Sequence, residues 1–228
     1  MPSTVVHMAF AGMMAAALLG TYFDRRAVAV VLAVTIIPDL DAFVGLVSTA
    51  GHRTVGHTFL IPIAAAVVWG VDAHLRDESF VRRKWGQWGV AVGWMSIAAF
   101  AVSGIGLDLV TGGVNPFWPL HDQLYRVNGK IELSNQRGII QTFVDLSPEP
   151  ENTGNGGGPS GGGSDKGPMR LGNSSEVHVN TGIDPKQGTE PKNVERIFPV
   201  VRSGWQLLVL LAGTSVTGAK LWLVERAD

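Results

Sequence analysis

Residues 85–107 (WGQWGVAVGWMSIAAFAVSGIGL) contain no Asp, Glu, Lys or Arg. A bilayer-spanning helix needs about 20 mostly apolar residues, because the hydrocarbon core is roughly 30 Å thick and each helical residue rises about 1.5 Å. Residues 5–23 meet the same condition, and residues 204–224 are interrupted only by Lys220, near enough to the end to snorkel. Residues 58–71 are shorter but extend back through the uncharged Thr54 to His57. A fifth stretch, residues 27–50, is apolar apart from Pro38-Asp39-Leu40-Asp41 in its middle, and carboxylates there are costly enough to call for a function. The expected fold is all-α: a polytopic membrane helical bundle of four or five transmembrane helices with a long disordered external loop.

Composition agrees. Charged residues make up only 16% of the chain and mean hydropathy is +0.20, whereas a soluble domain carries about 25% charged residues. Residues 1–121 hold fourteen of the charges and residues 122–203 hold nineteen, so the first part reads as membrane and the second as water-exposed. A net charge of −1 with mixed signs offers no basic stripe for nucleic acid, which excludes that class of partner. Zero cysteines exclude disulfides, thiolate metal sites, a Cys nucleophile and iron–sulfur clusters.

The first apolar run is read as a retained helix, because Arg25 and Arg26 follow it and a secretory signal carries its positive charge before it. Trp85, Trp88, Trp205 and Trp222 fall at span ends, as interfacial anchors do. Following the chain across the membrane puts Arg25, Arg26, Arg76, Arg82, Arg83 and Lys84 on one side, and only Arg53 on the other. The positive-inside rule then predicts a multi-pass protein of the plasma (inner) membrane, with an external N-terminus and a cytoplasmic C-terminus.

Four regions follow: an embedded helical domain over 1–121, a juxtamembrane segment over 122–144, a disordered Gly-rich loop over 145–196, and a C-terminal transmembrane helix within 197–228. The loop contains GNGGGPSGGGS (154–164) and is too poor in apolar residues to offset its ordering entropy. It also carries the sequon Asn173-Ser174-Ser175 and His178, read as solvated.

The same bookkeeping sorts the ionisable groups. His7, Asp39, Asp41, His52, His57 and Asp108 all fall on the external side, while Asp24, Asp72, His74, Asp77 and Glu78 fall with the basic residues in cytoplasmic loops. Three imidazoles and three carboxylates together suit a divalent ion, zinc first and manganese next. His52 and His57 flank Gly56 at a spacing of five, so a turn rather than one helix face must present them.

At these residues the chain resembles the LexA-binding, inner-membrane-associated metal-dependent hydrolases of the YdjM type. The resemblance rests on His7 with Gly12, on Pro38 to Asp41, on His52 to Thr58, and on Leu107 to Leu109 leading through Gly113 to Pro116-Phe117-Trp118-Pro119. It covers roughly residues 5–121. One departure stands out: the family commonly has a His four residues before the last Asp, where this chain has Gly104. His121 substitutes for it, or the site holds fewer ions, or the activity is lost. No motif for LexA binding is present.

The expected activity is metal-assisted hydrolysis of a phosphoester or lipid-like substrate. His7, Asp39, His52, His57 and Asp108 are the expected metal ligands. Asp41 is expected to orient the water or bridge two ions, and Arg53 to grip a phosphate or to partner Asp39. Membrane lipids are the expected partners. Two rivals remain: a transporter relaying protons or a metal, for which Pro38 would break the second span, and a non-catalytic membrane scaffold with a degenerate site.

Overall fold

The computed structural model describes residues 2–46, 51–136, 138–143, 169–185 and 193–227. It is mostly helical, with helices α1 (Thr4–Leu18), α2 (Arg25–Ile36), α3 (Leu60–Gly70), α4 (Phe80–Ala99), α5 (Leu107–Thr111) and α6 (Gly204–Ala227). Among the described residues, three helical stretches are long and apolar enough to cross a bilayer: Arg25–Leu46, Phe80–Thr111, which is kinked at Gly86 (φ 63°), and Gly204–Ala227. Thr4–Leu18 and Leu60–Leu75 are apolar but shorter.

The first expected span, 5–23, therefore ends early. Gly20 turns the chain with φ 55°, and Asp24 starts a new helix, its carboxylate accepting from the Ala27 N–H at 2.6 Å. At about 1.5 Å per residue, the 15 residues of α1 fall short of the hydrocarbon thickness. The second expected span changes character at Pro38, which lacks an N–H and cannot continue an α-helix; Pro38–Leu46 is a 3₁₀ segment. Between α4 and α5, Phe100–Gly106 widens into a π-helix, a local rewinding often found at functional sites.

The core lies where α1, α2 and α4 meet. Ala11, Ala15, Leu19, Phe23, Val31 and Met95 are buried there together, and the Trp88 indole N–H donates to Asp24 Oδ2 at 2.9 Å. Helix α6 docks on α1 through a seam of small residues. A methyl group on Gly213 would stand 2.3 Å from the Ala9 carbonyl oxygen, so only glycine permits this approach.

Two small sheets depart from the all-α expectation. β1 (Leu124–Arg126) pairs antiparallel with β4 (Met169–Gly172), and β2 (Ile131–Ser134) with β3 (Gly138–Gln141). Part of the expected disordered loop is thus ordered over 169–185. Ser174 is buried, its N–H and hydroxyl donating to Asp122 at 3.0 and 2.7 Å, so polar contacts supply what apolar burial does not. His178, expected in water, is half-buried 3.7 Å from Asp184. The Gly-rich run 154–164 lies outside the described residues.

Because the helices alternate in direction, the start of α1, the end of α2, the start of α3, the end of α4–α5 and the start of α6 share one end of the bundle. Every residue of the expected site is carried by one of the first four or by the turn leading into α3.

Candidate metal centre

Asp41 is the hub on one side. Its Oδ2 accepts from the backbone N–H of Arg53 (3.0 Å) and of Gly56 (3.1 Å), and its side chain is 2% exposed. A carboxylate held by two backbone donors is an acceptor, so the imidazoles beside it present N–H groups. His57 Nδ1–H donates to Oδ2 at 2.9 Å and His52 Nδ1–H to Oδ1 at 2.7 Å. Both rings are thereby oriented with Nε2 turned away from Asp41, so that Nε2 is the nitrogen that offers a lone pair whenever the ring is neutral. The turn that carries them passes so close to the 3₁₀ segment that a methyl on Gly56 would lie 2.4 Å from the Pro38 carbonyl oxygen.

The other side converges on His57 Nε2. Asp108 Oδ2 lies 3.2 Å from it and Asp39 Oδ1 lies 3.7 Å from it. His7 Nε2 is 3.9 Å from the same Asp108 oxygen. His7 is oriented from behind, its Nδ1–H donating to the Ser103 carbonyl, while the Ser103 hydroxyl donates to the His7 carbonyl at 2.6 Å. The π-helix places Ser103 and Asp108 on the face that meets α1. Thr4 Oγ1–H donates to Asp39 Oδ2 at 2.5 Å. Buried His7 Nε2 and His57 Nε2 have no hydrogen-bond partner, although buried polar atoms are nearly always satisfied.

This arrangement could hold a metal ion. A tetrahedral shell with bonds of about 2.0–2.1 Å spaces its donors by about 3.3 Å, and the separations that link His57, His7, Asp39 and Asp108 run from 3.2 to 3.9 Å. His57 therefore joins two buried groups, His7–Asp39–Asp108 and Asp41–His52, through its opposite nitrogens. Burial works against a charge on His57, but the carboxylates of Asp41, Asp108 and Asp39 prevail and raise its pKa well above the usual imidazole value.

Arg53 does not reach outward. It is 1% exposed and left-handed at φ 75°, with Nη2–H donating to Asp108 Oδ1 at 2.9 Å and Nη1–H to the Gly113 carbonyl at 3.1 Å. Both Nη groups are thus engaged within the fold, and Asp39 is not among their hydrogen-bond partners. His121 is exposed and pairs through Nε2 with the Tyr125 hydroxyl at 2.9 Å, so it does not stand in for the family His. At Gly104, a methyl would lie 2.9 Å from Pro38 Cγ, so the position packs against the segment that carries Asp39. Sequence reasoning missed Thr4, Ser103 and Gly113, of which the last two act through backbone carbonyls that leave no signature in residue type.

A cavity of about 350 Å³ opens beside the centre, with Asp39 and His52 in its lining. The fold and site together define an integral membrane protein with a buried His/Asp cluster at one end of its helices. The family described as YdjM inner membrane protein matches residues 1–152, and the chain belongs to it. No curated protein and no solved structure matches the chain.

Proposed function

We propose that the protein is a membrane-bound metal-dependent hydrolase acting on a phosphoester. The observation that carries this reading is the convergence of two unpartnered, buried Nε2 atoms, of His7 and His57, on carboxylate oxygens of Asp39 and Asp108. These four residues would hold the ion, zinc being the best fit to a compact set of two imidazoles and two carboxylates. A divalent ion bound there would lower the pKa of a water molecule so that hydroxide is available near neutral pH.

The remaining residues have positioning roles. Asp41 holds the tautomer and tilt of His57 and His52; Arg53 holds Asp108 so that Oδ2 faces inward. His52 lies on the cavity wall and is placed to move a proton through Nε2. Oxygen from water adds to phosphorus as the proton it sheds passes to the His52 Nε2 lone pair, the P–O bond to the alcohol breaks, and the alcohol leaves with that same proton, returned by His52. By the positive-inside rule this end of the bundle is external, since Arg25, Arg26, Arg76 and Arg82 to Lys84 belong to the opposite end. An external site sets the reading apart from one centred on LexA. Clustering of the donors at one end favours hydrolysis over transport, which needs a path through the bundle.

The test is metal content by mass spectrometry on detergent-purified full chain, with phosphoesterase assays, for wild type, Asp39→Ala and His57→Ala of equal helical content. Stoichiometric zinc or manganese with activity in wild type, both lost in the variants, is the expected result. Wild type that takes up no metal on titration would overturn it.

A further inference from the structure

The cavity beside the metal centre has a wall that the family-matched region does not supply. Its floor is Asp39 and His52 and one side is the start of α1, but the facing side is built from Asn180–Ile183 and Ile197–Arg202, beyond residue 152. This wall is tied together from within. The Arg196 guanidinium donates to the carbonyls of Ile183 (2.7 Å) and Gly182 (3.3 Å), and the Phe198 ring lies against Gly182. Asp122 anchors the approach to it, accepting from Asn115 Nδ2 (2.6 Å) as well as from Ser174.

We propose that this wall makes the site specific for a membrane amphiphile carrying a phosphoester, with Arg202 as the cation that receives the phosphate. The inference rests on the hydrolase reading and names its substrate class. Arg53, the residue that sequence alone suggests for phosphate, is buried and committed to Asp108 and Gly113. Among the described lining residues, Arg202 is the permanent positive charge. Its backbone N–H donates to the buried Gln206 Oε1 at 2.8 Å, which fixes its place at the entry to α6, while its side chain is exposed.

The apolar part of the wall says what the phosphate is attached to. Ile197, Phe198 and Val200 line the cavity yet are 56%, 67% and 59% exposed, and they precede by a few residues the helix that enters the bilayer. A water-soluble phosphoester gives such a lip nothing to cover, whereas an acyl chain does. A cavity of about 350 Å³ is at the small end of ligand sites, roughly 300–1,000 Å³, so it admits a head group and the first methylenes. The chains lie along the lip toward the membrane.

Isothermal titration tests this on the zinc-loaded full chain, with dihexanoylphosphatidic acid below its micelle concentration, dihexanoylglycerol and glycerol 3-phosphate as probes. The lipid phosphate is expected to bind at least about tenfold tighter than either fragment, as loss of a charge-assisted contact or of a buried chain implies. Arg202→Ala weakens it about tenfold, Arg202→Lys less, and Phe198→Ala weakens the lipid but not glycerol 3-phosphate, with zinc stoichiometry constant throughout. Equal binding of glycerol 3-phosphate would overturn the amphiphile, equal binding of dihexanoylglycerol would overturn the phosphate, and an unaffected Arg202→Ala would overturn the assignment of the cation. Arg202-dependent lipid binding by a chain that holds no zinc would leave the wall standing and remove the hydrolase reading instead.

Discussion

Arg53 and Asp108, 55 positions apart in the chain, meet at 2.9 Å with both side chains almost wholly buried. The pairing divides Asp108 in two: Oδ1 faces the guanidinium, and Oδ2 faces His57 and His7. Arg53 is held for this task in a left-handed backbone conformation that costs a non-glycine residue about 1–3 kcal/mol. Its N–H is used by Asp41 and its carbonyl by Asn115, so the strain is fixed from four directions.

Removing Arg53 leaves Asp108 buried and uncompensated. Arg53→Ala is expected to destabilise the chain by about 3–5 kcal/mol, and Arg53→Lys, which keeps the charge but loses the fork, by about 1.5–3 kcal/mol. Thermal unfolding in detergent, followed by tryptophan fluorescence, checks the order. Equal stability of Arg53→Ala and wild type would show the pair to be idle.

Asp41 and Asp39 predict different metal phenotypes. Asp41→Asn keeps the four donors but slackens both imidazoles, so metal affinity falls about 10–100-fold while a site still forms at saturating metal. Asp39→Ala removes a donor and lowers the stoichiometry itself. Competition against a chromophoric chelator separates the two, and loss of the site in Asp41→Asn at saturating metal would make Asp41 a ligand.

The sequence shows which residues belong to the cluster but not how they divide the work. Asp39 and Asp41 read as equivalent neighbours in Pro-Asp-Leu-Asp. In a 3₁₀ segment with three residues per turn, positions two apart point to different sides. One carboxylate therefore meets His57 Nε2 and the other Nδ1. Arg53 is legible as an isolated external cation, yet nothing in residue type marks it as left-handed and buried. The membrane helices are legible because apolar length is a direct physical requirement, whereas the end of α1 and the break at Pro38 depend on single Gly and Pro residues. The order of 169–185 escapes composition because it is held by Asp122 and strand pairing, not by apolar burial.

Gly213 and Gly218 lie on the same helix and predict opposite outcomes. A methyl on Gly213 would strike the Ala9 backbone, whereas nothing lies within 4 Å of one on Gly218. Gly213→Ala should cost about 1–3 kcal/mol by forcing α6 off α1, and Gly218→Ala should gain about 0.5–1 kcal/mol from reduced backbone entropy. Melting temperatures in one detergent decide it; a stabilising Gly213→Ala would mean that α6 does not pack on α1.

His57 sets the response to pH, with opposite signs in the metal-free and metal-loaded states. Burial opposes its charge, but Asp41, Asp108 and Asp39 outweigh it and raise its pKa in the fold well above the ordinary imidazole value of 6.5. In the metal-free chain the protonated ring is therefore a stabilising partner of those carboxylates. That contribution is complete below pH 6.5 and is lost as pH rises through the raised value. An ion at Nε2 requires the neutral ring, so metal uptake must expel the proton and its affinity must climb over the same range. Melting curves from pH 6 upward should show the metal-free protein weakening while the gap to the metal-loaded protein widens. Calorimetry in two buffers of different ionisation enthalpy should also register proton release on binding. A gap that does not change with pH, and no proton release, would mean that the ion does not bind at His57.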